Sequence, residues 1–241
     1  MRKTLFALFI LCVFSASIFA ETVLNQTFTG QQIYNTASFP NSTKSLSGTS
    51  LVINFSSGGP YVLFLFPFLQ ANTLSNASAA TVNVTVNFTR NIADYDPYFM
   101  ITDGLNAVGT AIWDNDGGYC NLYSAQQPTT NTLSNFQSYS SVSGTGYPGT
   151  GGSSSVTFSV TINPQSAAQA SVTFYSTSRS ATTSVILDAS RGLSFLASND
   201  TNDSSYRIDS VSFQVNGVVP EPSTLGLVFM VLSFFIFLKR K

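Results

Sequence analysis

The segment Ala80–Arg90 reads ATVNVTVNFTR, and it decides the fold class of the chain. Its side chains alternate between polar and apolar along the whole stretch. The apolar set is Val82, Val84, Val86 and Phe88, and the polar set is Thr81, Asn83, Thr85 and Asn87. Because successive side chains of a β-strand point to opposite faces, this period of two predicts a half-buried strand with one polar face.

The same alternation recurs in the second half of the chain. Residues 155–163 and 170–177 repeat it, and the tripeptide PQS at 164–166 predicts a hairpin between them. Further strands are predicted at 22–29, 51–55, 61–69, 98–102, 107–113, 184–188, 193–197 and 206–215. Together these segments indicate a domain built from many short strands.

The pattern predicts an all-β fold: a β-sandwich, most simply a jelly roll, of about ten strands. In the last strand the apolar residues change parity, which predicts a β-bulge near Asp209 and Ser210. Residues 31–49 are polar and are expected to be irregular, and 140–154, rich in Gly and Ser, should form a surface loop.

Both ends of the chain are apolar and differ from the domain between them. Residues 1–20 combine a basic start, an apolar stretch and small residues before Ala20, which predicts a secretory signal peptide with a signal helix. At the other end, residues 223–238 carry no charge and would reach about 24 Å as a helix. A hydrocarbon core is about 30 Å thick, so this short transmembrane helix would need snorkelling lysines or a thin bilayer.

The C-terminal segment 218–241 has an ordered signature. Pro220, Glu221 and Pro222 come first, the apolar span follows, and Lys239, Arg240 and Lys241 close the chain. By the positive-inside rule this basic end stays cytoplasmic. The order resembles the PEP-CTERM sorting signal of exported bacterial proteins.

That resemblance implies recognition by an exosortase-type membrane protease. It also implies export, anchoring in the membrane through the C-terminus, and then placement in the cell envelope or extracellular matrix. A second interpretation stays open: the chain would be a eukaryotic single-pass membrane glycoprotein, and PEP a rigid linker. Asn-x-Ser/Thr sequences, as at Asn83 and Asn87, are compatible with it.

The composition of residues 21–217 excludes several functions. The segment carries five Lys or Arg against ten Asp or Glu, a net charge of −5, which argues against nucleic-acid binding. The chain has no histidine, so it lacks the commonest general base and zinc ligand. Cys120 is the one cysteine of this segment, so an internal disulfide is excluded; a buried thiol is favoured, and pairing with another chain is the alternative.

Enzymatic activity is not expected. The sequence has no GxSxG and no phosphate-binding loop. A paired-carboxylate glycosidase would have to use aspartates alone, because both glutamates lie at the processing ends.

Half of the acids of the domain fall in one segment, 94–116. Asp94 and Asp96 precede the strand 98–102, and Asp114 and Asp116 follow the strand 107–113, so we expect these four at one end of a hairpin. Such clustered oxygens suit calcium. Ordinary turn chemistry, which favours Asp, Asn and Gly, is the alternative.

Aromatic residues accompany this acidic hairpin at Tyr95, Trp113 and Tyr119. Exposed rings beside carboxylates are a way to hold sugars, although Trp113 would serve equally as core filler. The pattern DxDPxFxITDG, followed by a strand and WDND, resembles secreted jelly-roll, lectin-like domains. We therefore predict an exported protein with a structural or adhesive role that contacts polysaccharide. The alternative is a calcium-dependent carbohydrate-binding module that uses this hairpin.

Overall fold

The computed structural model describes residues 21–35, 42–55, 61–74, 79–90, 97–113, 119–130, 132–143, 152–163, 165–174, 177–199 and 204–217. Their strands are β1 (Glu21–Thr29), β2 (Ser42–Ser47), β3 (Ser50–Phe55), β4 (Tyr61–Leu69), β5 (Ala80–Arg90), β6 (Pro97–Thr102), β7 (Asn106–Trp113), β8 (Tyr119–Thr129), β9 (Thr132–Ser143), β10 (Ser153–Asn163), β11 (Ser166–Phe174), β12 (Thr177–Thr182), β13 (Leu193–Asn199) and β14 (Ser204–Gly217). A short helix α1 (Gly30–Tyr34) and a 3-10 helix (Ala189–Arg191) complete the described elements.

The first sheet is organised around β14. Its strand order is β12-β11-β10-β5-β14-β3-β2, and β14 pairs with β5 along one edge. The other edge is shared, because β3 pairs with residues 204–208 and β1 with residues 210–217. The register against β5 shifts between Ile208 and Ser210, which confirms the predicted bulge at Asp209.

Helix α1 fills the junction where this shared edge passes from β3 to β1. The backbone N–H of Thr29 donates to Gln32 Oε1 at 2.8 Å, which caps the first turn. A Cβ added at Gly30 would collide with the backbone N of Leu51 and lie 2.5 Å from the carbonyl oxygen of Ile208. Glycine is therefore required there by close backbone contact.

The second sheet closes on itself. Its strands follow the order β4-β13-β6-β7-β8-β9, and one pairing between Tyr61 and Thr132 brings β9 back to β4. The inner face of this ring encloses a small core of its own, formed by Val62, Tyr98, Met100, Ala107, Ala111, Ala125, Leu133 and Leu196. The ring of Tyr98 lies 5.4 Å from that of Tyr123 and 5.2 Å from that of Phe136, so aromatic side chains fill this interior.

The main core lies between the two sheets. The apolar residues of β5, from Val82 to Phe88, are fully buried there. Phe213 of β14 stacks on Phe68 with ring centroids 4.3 Å apart and meets Phe195 of β13 edge-on at 5.8 Å. Two packed antiparallel sheets with alternating inward residues confirm the predicted all-β sandwich of the jelly-roll type.

Several strand predictions need correction. Residues 184–188 form no strand. The carbonyl oxygen of Val185 accepts from Ala168 N of β11, but Ser184 N–H donates to Tyr139 Oη and Asp188 N–H to Asp103 Oδ2, so no continuous ladder forms. The segment 31–49 is not irregular throughout, since it contains part of α1 and the edge strand β2. Strands β8, β9 and β12 were not predicted, and β9 extends into the expected loop 140–154 as far as Ser143.

Some predictions concern residues outside the described ranges. These are the signal peptide 1–20, the segment 218–241 with its span 223–238, and Asp94, Asp96, Asp114 and Asp116. Among the residues that are described, no helix has both the length and the apolar character needed to cross a bilayer.

Candidate functional site

The outer face of the first sheet carries the candidate site. Strands β12, β11, β10, β5, β14 and β1 lie side by side there, and their registers align the outward residues in transverse rows. The middle row is Ser180, Ser171, Ser159, Asn83, Gln214 and Asn25. The flanking rows are Ser178, Thr173, Thr157, Thr85, Ser212 and Thr27, and Thr182, Gln169, Thr161, Thr81, Asn216 and Thr22.

These three rows of six, which we call the hydroxyl face, have one chemical character. Every position is Ser, Thr, Asn or Gln, so the face carries neither charge nor a large apolar side chain. In β5, β10, β11 and β14 the inward residues behind these rows are Val, Phe, Ile and Ala. The outer strands differ, because β1 carries Gln26 and β12 carries Arg179 at the corresponding positions. The face is thus the polar half of the pattern that defines the fold, extended by β1 and β12 to six strands.

Side chains of neighbouring strands hydrogen-bond to each other within the rows. Thr85 and Thr157 are 2.8 Å apart between hydroxyl oxygens, and Thr173 and Ser178 are also 2.8 Å apart. A hydroxyl donates one hydrogen bond and accepts up to two, so each bonded pair keeps one donor and further lone pairs for a ligand. The pairs therefore fix the side-chain orientations while leaving them able to bind.

Two open cavities lie end to end along β10 and β11: the second is on the hydroxyl face, and the first extends beyond its end and shares Thr157 and Thr173 with it. The first has a volume of about 520 Å³ and the second about 440 Å³. The first is lined by Asn87, Ser153, Ser154, Ser155, Thr157, Thr173 and Asp209, and the second by Ser159, Thr161, Gln169, Ala170, Ser171, Ser180, Ala181 and Thr182. We call the two together the trough.

One carboxylate stands at the end of the trough. Asp209 Oδ1 accepts hydrogen bonds from Ser50 Oγ at 2.7 Å and from Arg207 Nε at 2.8 Å. Its Oδ2 accepts from Thr89 Oγ1 at 3.1 Å. Because Arg207 balances its charge, Asp209 adds no net charge to the trough.

The acidic hairpin predicted from the sequence forms, but only its framework is described. Strands β6 and β7 pair with Tyr98 opposite Ala111, and β7 and β8 pair with Trp113 opposite Tyr119. The start of β6 and the end of β7, to which the four aspartates are attached, therefore lie at the same end of the hairpin. Asp94, Tyr95, Asp96, Asp114 and Asp116 themselves lie outside the described residues, so the calcium and stacking assignments remain predictions.

Asp103 lies at the opposite end of this hairpin, directly after β6. Its Oδ1 accepts from the backbone N–H groups of Leu105 at 2.8 Å and Asn106 at 2.9 Å. Its Oδ2 accepts from Asp188 N at 2.8 Å. Buried and hydrogen-bonded on both oxygens, this carboxylate fixes the β6–β7 turn to the segment after β12.

Cys120 is buried in the main core, which confirms the expected buried thiol. Its Sγ lies 2.8 Å from Thr110 Oγ1. Burial raises the pKa of the thiol to about 12, against which the Thr110 hydrogen bond acts weakly. The protonated thiol is a poor nucleophile and metal ligand, so Cys120 is structural.

Sequence reasoning did not single out the hydroxyl face. The polar alternation of each strand was visible, but the alignment of six strands into rows depends on registers between distant segments, such as β1 with β14.

No family model and no curated protein matches the chain. Among solved structures it is similar to a protein of unknown function from Shewanella oneidensis MR-1, with a TM-score of 0.46 and 13% identity over 86% of this chain and 94% of that one. It is also similar to a mutant of the alginate lyase Aly36B in complex with alginate tetrasaccharide, with a TM-score of 0.45 and 11% identity over 78% of this chain and 96% of that one. A lectin from Bauhinia forficata in complex with GalNAc gives a TM-score of 0.40 and 11% identity over 80% and 99% of the two chains.

Proposed function

We propose that this chain is an exported, non-enzymatic protein of the cell surface or extracellular matrix with a structural or adhesive role. The hydroxyl face would be its adhesive surface. The observation that carries the proposal is the absence of charge at all three rows of six positions on that face.

An uncharged exposed sheet face is favourable for adhesion. Soluble β-proteins usually place charged side chains, especially Lys, on exposed sheet surfaces and edges, where they oppose association. Hydroxyl and amide groups lose less hydration free energy than charges when a partner covers them, and they can replace the lost water with direct hydrogen bonds. The face is therefore suited to contact with another polar, neutral surface.

The described acids have structural roles, which supports a non-enzymatic function. Asp103 and Asp188 hold turns: Asp188 Oδ1 accepts from Ser190 N at 3.0 Å and from Ser190 Oγ at 2.6 Å. Asp209 is held by Ser50, Arg207 and Thr89.

Export and sorting belong to the same proposal and rest on the sequence of the two ends. The signal peptide 1–20 would direct export, and Pro220, Glu221 and Pro222 would be recognised by an exosortase-type protease while the span 223–238 holds the chain in the membrane. Lys239, Arg240 and Lys241 would remain cytoplasmic.

Mass spectrometry of the mature chain from its native host, with cell fractionation, tests this routing. We expect an N-terminus at Glu21 and a C-terminus that lacks Lys239, Arg240 and Lys241. A mature protein that retains this basic end in most molecules would instead favour the single-pass glycoprotein. A chain found mainly inside the cell would contradict the proposal altogether.

A calcium-dependent carbohydrate-binding module is the second candidate, because the described hairpin brings the attachment points of the four aspartates to one end. Asp94, Asp96, Asp114 and Asp116 would bind the ion, and Tyr95, Trp113 and Tyr119 would stack on sugar. Thermal melting of residues 21–217 with calcium and with chelator tests it. A calcium-dependent rise in Tm that Asp114→Asn and Asp116→Asn abolish supports this candidate, and an unchanged Tm excludes it.

A further inference from the structure

We propose that the trough binds an extended, uncharged polysaccharide, laid along β10 and β11, and that it does not bind acidic polysaccharides. This inference rests on the adhesive function proposed above and adds the class of ligand and its place on the hydroxyl face.

The side chains of the trough can both donate and accept hydrogen bonds. Thr157 and Ser171 present hydroxyls that both donate and accept, and Gln169 adds an amide with both capacities. A sugar hydroxyl is likewise a donor and an acceptor, so each can pair with either partner. A carboxylate or sulfate group accepts only, and it would leave half of this capacity unused.

The outward side chains of the trough are spaced at regular intervals. Outward residues repeat every two positions, about 6.8 Å along a strand, and neighbouring strands are about 4.8 Å apart. The trough runs on β10 from Ser153 to Thr161, about 27 Å of extended chain. A regular array of this length fits a polymer with repeating hydroxyls better than a single small ligand.

The charge of the domain also favours a neutral ligand over an acidic one. Residues 21–217 carry a net charge of −5, and the three rows contain no Lys or Arg. Of the described cations beside the trough, Arg207 is already bonded to Asp209 and Thr89. Arg179 lies on the edge strand β12 outside the three rows, opposite Val172, and donates to the carbonyl oxygen of Ser178. An acidic polymer would approach a negative domain and find no cation within the rows, whereas a neutral polymer meets no such repulsion.

A protein partner, including a second copy of this chain, is less suited to the face. Protein interfaces draw most of their affinity from buried aromatic, Met and Arg anchors, and the three rows contain none of them. Contacts made only by hydroxyls and amides are individually weak, so a long polymer that makes many of them at once is the favoured occupant.

The experiment uses residues 21–217, because both sheets and both described cores lie within them. Affinity electrophoresis and pull-down would compare neutral probes (amylose, cellulose, β-1,3-glucan, galactan and mannan) with acidic ones (alginate, polygalacturonate and hyaluronate). We expect retention by at least one neutral polymer, little effect of salt on it, and no retention by the acidic ones.

Matched variants locate the binding. The triple change Ser159→Ala, Ser171→Ala and Ser180→Ala removes three hydroxyls of the middle row and should weaken binding roughly tenfold or more. The control changes Thr43→Ala, Ser45→Ala and Ser47→Ala, on the exposed β2 at the far edge of the same sheet, should leave affinity within about twofold. Ser171→Thr, which keeps the hydroxyl, should also bind normally, and unchanged circular dichroism would show that each variant is folded.

Several outcomes would overturn the inference. They are retention by none of the neutral probes, equal or stronger retention by acidic polymers, and an unchanged affinity of the middle-row variant. A dimer in sedimentation that this variant dissociates would assign the face to self-association instead. These outcomes can be distinguished from failure of the proposed function. An exported chain that binds no polymer refutes this inference alone. An intracellular chain that binds polymer refutes the proposed export alone.

Discussion

Thr85 on β5 and Thr157 on β10 are direct cross-strand partners, and their hydroxyl oxygens lie 2.8 Å apart on the outer face of the first sheet. The next residues along, Val86 and Val156, are also partners, and both are fully buried on the other face. One step along the chain thus separates a solvent-facing hydrogen bond from the centre of the core. This contrast allows the two faces to be tested separately.

Substitutions at the sequence neighbours Thr85 and Val86 should lower the free energy of unfolding by unequal amounts. Thr85→Val keeps the β-branched shape and removes one half-exposed hydrogen bond, so the free energy of unfolding should fall by less than about 1 kcal/mol. Val86→Thr buries a hydroxyl in the apolar core and should cost roughly 1–3 kcal/mol. Urea denaturation measures both, and equal losses would contradict the assignment of Thr85 to the outer face.

Gly30 should tolerate no side chain. Gly30→Ala would push a Cβ into the backbone of Leu51 and Ile208, which cannot yield as a side chain can, so a loss of roughly 3 kcal/mol or more is expected. Gly48→Ala is the control, because Gly48 has φ of 63° with open space around it and should lose about 1–2 kcal/mol from backbone strain. Thermal and chemical denaturation would reveal a wrong assignment if the two variants lost the same stability.

Asp209 should contribute more to the free energy of unfolding than its ion pair with Arg207 does. Asp209→Ala removes the acceptor of Ser50, Thr89 and Arg207 together, whereas Arg207→Ala removes two hydrogen bonds, one to Asp209 and one to Thr89. Because both side chains are about a third exposed, the coupling between them in a double-mutant cycle should stay below about 1 kcal/mol. A larger loss of stability in Arg207→Ala than in Asp209→Ala would show that the charge pair, not the bulge network, is the main contribution.

Cys120 should make the domain less stable at alkaline pH. Its pKa is raised from 9.0 to about 12, so between these values the unfolded thiol releases a proton that the folded thiol retains. The thiol contribution to the free energy of unfolding is therefore constant below pH 9 and falls as pH rises towards 12. Denaturation across this range would show a steeper decline for the native protein than for Cys120→Ala, and parallel curves would contradict the raised pKa.

The sequence identified strands whose two faces differ, such as β5, and strands that are apolar throughout, such as β4. Val84 and Thr85 point to a core and to solvent, so period two is preserved and β5 was predicted correctly. In β8 both faces are covered, because Leu122 faces the main core and Ala125 the core enclosed by the second sheet. The alternation that identifies a strand is then lost.

Buried polar residues are a second reason why β8 and β9 were not predicted from the sequence. Ser124 is fully buried, and its hydroxyl lies 2.7 Å from Tyr139 Oη. The buried Gln127 accepts from Thr102 Oγ1 at 2.6 Å. Such partners lie on other strands, so a local pattern gives no sign that these side chains belong to an interior. The alignment of the hydroxyl face into rows was not predicted for a related reason, since the rows join residues as distant as Thr27 and Ser212.

Because β14 lies in the middle of the first sheet, it determines when that sheet can be completed during synthesis. Glu21 pairs with Gly217, so the first and last described residues are neighbours. Without β14, the strands β12-β11-β10-β5 have no connection within their sheet to β1, β3 and β2. A growing polypeptide therefore cannot complete this sheet before its final strand has been synthesised.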